Sequence, residues 1–177
     1  MSRGRLERAF RCLLAGLAWA GALLLLAMML VIVGDVALRN VAVPGLPRGL
    51  AWSNEVSELM LYLVTMCLAP WLLRQGQHIR VDVLLQALPR RTAWLLEWAG
   101  DMLGLACCLV MTWYGARAAF ASYAAGAVNI KTLVTPEWWS LAPLPVAFAL
   151  LSIEMLLRMA RLHAGPRAPR HDAVSAG

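Results

Sequence analysis

Charge is scarce in this chain. Only 15% of its 177 residues are charged and 61% are hydrophobic, whereas a soluble domain carries about a quarter charged residues. Mean hydropathy is +0.66. That balance excludes a water-soluble globule, because too much apolar surface would meet water; lipid is the solvent that fits. Groups that carry chemistry are equally scarce. The four cysteines, Cys12, Cys67, Cys107 and Cys108, form no C-x-x-C pair and lie in or beside apolar runs, where they read as small hydrophobes. The histidines, His78, His163 and His171, fall outside those runs, so they cannot face a haem inside a bundle. No metal-ligand spacing, Ser/His/Asp set or Gly-rich phosphate loop is present. No catalytic residue and no cofactor is therefore expected. The arginines come singly or in pairs with no aromatic platform between them, which excludes nucleic acid as a partner.

What is present is a set of long apolar runs. Residues 12–34 hold 23 residues without a charged side chain, and roughly 20 suffice to cross a ~30 Å hydrocarbon core as a helix. Three shorter runs follow, centred on Leu59–Leu73, Met102–Ala116 and Trp138–Ile153, each extended at one end by a segment with acids. The pattern predicts an all-α integral membrane protein with helices at about 12–34, 53–74, 92–121 and 137–160. Residues 1–162 form a single membrane domain, and 163–177 a disordered tail. A cleaved signal peptide is disfavoured: only about six apolar residues precede the Ala18–Ala20 "AWA", against the roughly 7–15 of a signal core.

Basic residues orient the helices. The N-terminal segment, the 74–91 loop and the C-terminal segment carry four Arg or Lys each; the other two connections carry two each, giving 12 against 4. Cationic loops stay on the cytoplasmic side during insertion. Both termini and the 74–91 loop are thus expected to be cytoplasmic, with the surplus charge lying against anionic membrane lipid. Within that loop, "DVLLQALP" has an N-cap in Asp82, a short apolar run and a proline stop, and reads as an amphipathic interfacial helix between the second and third spans. Tryptophans 52, 113, 138 and 139 fall at outer ends, and Trp94 and Trp98 at an inner end, as a belt would. Pro70, Pro143 and Pro145 are expected to kink their helices.

The acids inside the runs are the candidate functional positions. Glu97 and Asp101 lie four apart near the cytoplasmic start of the third span, offset by one position from the Gly100/Gly104 pair. Glu154 stands four before Arg158 near the cytoplasmic end of the fourth, a favourable spacing for an ion pair. The preferred reading is a neutralised inter-helix charge cluster; an ion or proton pathway is the alternative. Glu55 and Glu58 begin the second span, where they either complement the helix dipole or meet a partner.

The order of four segments resembles a known family. "DVALRNV" (35–41), "WSNEVSELMLYL" (52–63), "LLRQGQHIRVDVLLQALP" (72–89) and "TPEWWSLAPLPVAFALL" (135–151) are similar to the small membrane subunit, the DctQ type, of tripartite ATP-independent periplasmic (TRAP) transporters. Arg74, Gly76, His78 and Asp82 carry the strongest part of the likeness; Arg39, Trp52 and Glu55 match in order. Asn54 and Glu58 depart from the family pattern, which has an acid before Glu55 and a basic residue at 58. The resemblance implies a bacterial inner-membrane protein that is not an enzyme. Its implied role is a scaffold clamped to a large permease subunit, with no direct substrate binding; the large subunit imports organic acids captured by a periplasmic substrate-binding protein, driven by a sodium gradient. A quinone-linked four-helix thiol oxidoreductase is the other class considered; it would need paired cysteines on the outer side.

Overall fold

A computed structural model describes residues 2–41, 49–75 and 89–164. Its elements are α1 (Ser2–Asn40), α2 (Ser53–Arg74), α3 (Arg90–Ala125), the strands β1 (Val128–Ile130) and β2 (Val134–Pro136), the one-turn helix α4 (Trp138–Leu141), and α5 (Pro143–Ala164). Four helical stretches are long and apolar enough to cross a membrane: Glu7–Asn40, Ser53–Arg74, Trp94–Ala125 and Trp138–Ala160.

The helices differ in length. α2 and α5 have 22 residues each, about 33 Å at 1.5 Å per residue, which matches a hydrocarbon core. α1 has 39 and α3 has 36, about 58 and 54 Å, well beyond it. Both extend past the ranges expected from the apolar runs. Their flanks hold arginine and alanine, good helix formers that the absence of apolar character does not stop.

Packing is serial. α1 lies against α2, α2 against α5, and α5 against α3, while α1 has no extensive contact with α3 or α5 among the described residues. The four long helices form an open row with α1 and α3 at its edges. Leu73, Cys108 and Leu151 make the small buried core where α2, α3 and α5 meet, with Ala69, Phe148 and Met155 packed on it. Small residues allow close approach at the seams. A Cβ on Gly104 would collide with Met155, one on Gly115 with Leu144, and one on Gly21 would press on Leu68. Of the expected Gly100/Gly104 pair, only Gly104 faces a neighbour; Gly100 has open space beside it.

The all-α expectation needs one correction. After α3 the chain makes a small antiparallel hairpin, pairing Val128 with Pro136, Asn129 with Thr135 and Ile130 with Val134. α3 stops at Gly126, whose φ of +61° is the left-handed conformation of a helix C-terminus, with Ala127 N–H donating back to the Ser122 carbonyl. The β-branched residues that follow favour extended backbone. A second correction concerns the prolines. Pro143 does not kink the last helix from inside; the helix breaks at Ala142, and Pro143 becomes the first residue of α5. Pro143 and Pro145 thus occupy a first turn, where backbone N–H groups have no intrahelical acceptor and a missing one costs nothing. Pro70 lies inside α2 and is fully buried. α5 runs to Ala164, two residues into the segment expected as tail. The interfacial helix expected at 82–89, apart from Pro89, lies outside the described residues, as does 165–177.

Candidate functional site

Polar side chains gather at the two ends of the row. One end holds the start of α1, the end of α2, the start of α3 and the end of α5: the terminus end. The other holds the α1–α2 connection, the β-hairpin and α4: the hairpin end.

At the terminus end the charges are buried. Glu97 and Asp101 on α3 are each 7% exposed, Glu154 on α5 is 1% and Arg158 is 7%. Arg158 Nε lies 3.4 Å from Asp101 Oδ1, joining α5 to α3. Arg74 Nη1 lies 3.4 Å from Glu154 Oε2, joining α2 to α5. These two ion pairs of the α5 residues therefore diverge. The i, i+4 spacing that marked Glu154 and Arg158 places them one turn apart on the α5 surface, and each reaches a different neighbouring helix. The reason is the row itself: α5 is an inner member with α2 on one side and α3 on the other. The pair Arg74–Glu154 was not anticipated, although both residues were singled out separately.

At the hairpin end the carboxylates serve backbone groups. Both oxygens of Glu55 are in use: Oε1 accepts the Thr132 N–H at 2.7 Å and Oε2 the Leu133 N–H at 3.0 Å. The turn of the hairpin is thereby fastened to the first turn of α2. One helical turn on, Glu58 Oε2 lies 3.1 Å from Lys131 Nζ, both side chains well exposed. The departure from the family pattern at Glu58 thus has an intrachain partner.

Two further acids do similar work and were missed as site residues. Asp35, 7% exposed, accepts the Leu50 N–H at 2.6 Å, is hydrogen-bonded to the Ser53 side chain and pairs with Arg39 Nε at 2.9 Å. It ties the end of α1 to the start of α2. Glu137 accepts from the Ser122 hydroxyl at 3.0 Å, tying the end of α3 to α4. Asp35 had a signal, its i, i+4 spacing to Arg39 in "DVALR"; Glu137 had only its place in the family-like "TPEWW" segment. Trp52 stands at the N-cap of α2, its carbonyl accepting the Val56 N–H at 3.1 Å. Beside the hairpin, Trp138 stacks edge-on with Tyr123 at 5.7 Å and with Trp139 at 6.1 Å. Gly76, His78 and Asp82 lie outside the described residues.

The cysteines are unpaired, with Cys108 in the small core and Cys12 and Cys107 exposed. Among the described residues no three of His, Cys, Asp or Glu converge as a metal site would require. What the arrangement does chemically is hold helices in register by side-chain charge at one end and by carboxylate–backbone bonds at the other.

Compared with curated proteins, the chain finds no match. A family model does match, over residues 28–165, which takes in the end of α1, the other three long helices, both polar clusters and the hairpin. The chain belongs to the DctQ component family of the tripartite ATP-independent periplasmic transporters.

Proposed function

We propose that this chain is the small membrane subunit of a TRAP-type secondary transporter, acting as a scaffold in the bacterial inner membrane. In this reading it works with a large permease subunit and a periplasmic substrate-binding protein. Organic acids are imported on a sodium gradient, and substrate and sodium are carried by the large subunit. The family is one of transporter components, not of enzymes, which leaves the thiol oxidoreductase alternative without support.

The observation that carries the scaffold reading is the open row. The most hydrophobic window of α1 is 6% buried, and that of the α4–α5 stretch only 22%. A carrier must enclose its cargo, and among the described residues the helices form an open row in which Asp101 and Glu154 are engaged by arginines of neighbouring helices. Broad apolar faces suit contact with lipid and with another membrane protein. The 12-to-4 distribution of basic residues supports a cytoplasmic terminus end and a periplasmic hairpin end.

Two measurements test this. The chain is expected to co-purify with a large hydrophobic permease in mild detergent and to show no uptake alone in liposomes; sodium-dependent transport by the purified single chain would refute the scaffold role. In a cysteine-free background, a cysteine at Ile130 should label in intact cells and one at Thr92 only after permeabilisation. Reversed labelling would overturn the orientation.

A further inference from the structure

A cavity of about 470 Å³ opens at the hairpin end, between the first turns of α2, the hairpin and the start of α5. Its two sides differ. Towards the hairpin it is lined by Glu58, Lys131, Asn129 and Leu133; towards the bundle, by Leu59, Tyr62 and Leu144. The charged groups are therefore confined to the hairpin side, and the bundle side is mainly apolar. Trp138 and Trp139 lie at the same end, and such rings gather at the headgroup level of a bilayer.

The charges narrow the choice of ligand. Glu55 also lines the cavity, but both its oxygens already accept backbone N–H groups. That leaves Glu58 and Lys131, 3.1 Å apart, their side chains 73% and 52% exposed. An ion pair so exposed is weak and exchanges its partners readily. A free anion would approach one ammonium flanked by two carboxylates, an unfavourable balance. A free cation would meet Lys131. A ligand with an ammonium and a phosphate a few atoms apart can lie antiparallel to the pair, ammonium on Glu58 and phosphate on Lys131. The mainly apolar bundle side asks for a hydrocarbon chain on the same molecule.

We propose that this cavity binds the headgroup of a zwitterionic ethanolamine phospholipid, with an acyl chain running down beside Leu59 and Leu144. The site is a property of this chain and needs no transport to be seen.

The test uses the full chain purified in mild detergent, with whatever subunits accompany it. It is delipidated and offered phosphatidylethanolamine and phosphatidylglycerol of matched chains, and retention is read by native mass spectrometry. The ethanolamine lipid should be retained about fivefold over the glycerol lipid. Glu58→Lys, a change in an exposed pair, should reverse that preference, because the rim then carries two cations. Leu144→Trp should lower retention of both lipids by filling the cavity. Soluble glycerophosphoethanolamine should displace the lipid only weakly; if it competes as well as the intact lipid, the acyl chain has no place and the assignment falls. Equal retention of the two lipids by the unmodified chain overturns the proposal, as does an unchanged preference in Glu58→Lys. So does a photo-crosslinker at Asn129 that captures a protein subunit and no lipid.

Discussion

The two ends of the row use the same few residue types for different physical ends. At the terminus end, Asp101–Arg158 and Arg74–Glu154 pair side chain with side chain, and three of these four side chains are under 10% exposed. At the hairpin end, Glu55 holds two backbone N–H groups and Glu58 pairs with Lys131 in the open. A buried pair contributes little net stability beyond what an apolar pair would give, but breaking it strands a charge. An exposed pair contributes little and strands nothing when broken. The terminus end should thus be brittle and the hairpin end forgiving, although the donor–acceptor distances at the terminus end are the longer ones.

The largest effect should come from Asp101→Ala. It leaves Arg158 buried without that carboxylate, a loss of roughly 3–5 kcal/mol when the pair is fully desolvated. Assembled protein should fall steeply, read by size-exclusion chromatography after mild solubilisation. The apolar double variant Asp101→Leu with Arg158→Met should restore most of it. If the single variant assembles normally and shifts the sodium dependence of transport, the acids belong to an ion pathway and the contrast between the ends is lost. Glu154→Ala should be milder, on the order of 2 kcal/mol, because the Arg74 side chain is 19% exposed and its long stem can carry the guanidinium to water.

Glu55→Ala should act locally. The N–H groups of Thr132 and Leu133 lose their acceptor but stay near water, so assembly should persist while the hairpin loosens. Hydrogen exchange at Thr132 and Leu133 should rise well above wild type, and Glu55→Asp, too short to span both groups, should rise partway. An assembly defect as large as that of Asp101→Ala would erase the distinction between the ends. The smallest effect is expected for Lys131→Ala, below about 1 kcal/mol, with thermal stability in detergent essentially unchanged.

Much of the terminus end was readable from the sequence. Acids within an apolar run are conspicuous, and the 3.6-residue period puts Glu97 with Asp101 and Glu154 with Arg158 on common faces. Their partners were not readable, because these depend on which helix lies on which side of α5, and an open row and a closed bundle share one hydrophobic pattern. The hairpin was less legible still. Two strands of three residues are too short to establish a period of two, and their fastening to α2 comes from Glu55, 77 residues before Thr132. Pro143 was visible, but whether it kinks or starts a helix depends on whether residues 138–141 continue the same axis.

The separation of partners along the chain sets an order in time. Arg74 precedes Glu154 by 80 residues, and at ~5–20 residues per second the ribosome needs roughly 4–16 s to make that stretch. Glu55 waits nearly as long for the hairpin turn. During that interval α1 and α2 can already pack on each other, but α2 has an acid waiting at one end and a base at the other. The hairpin turn completes the first junction and α5, the last of the described helices to be made, completes the second. A chain stopped after Ala125 would therefore present a finished-looking membrane helix with both of its ends open, and such a nascent α2 is a natural place for quality control to act.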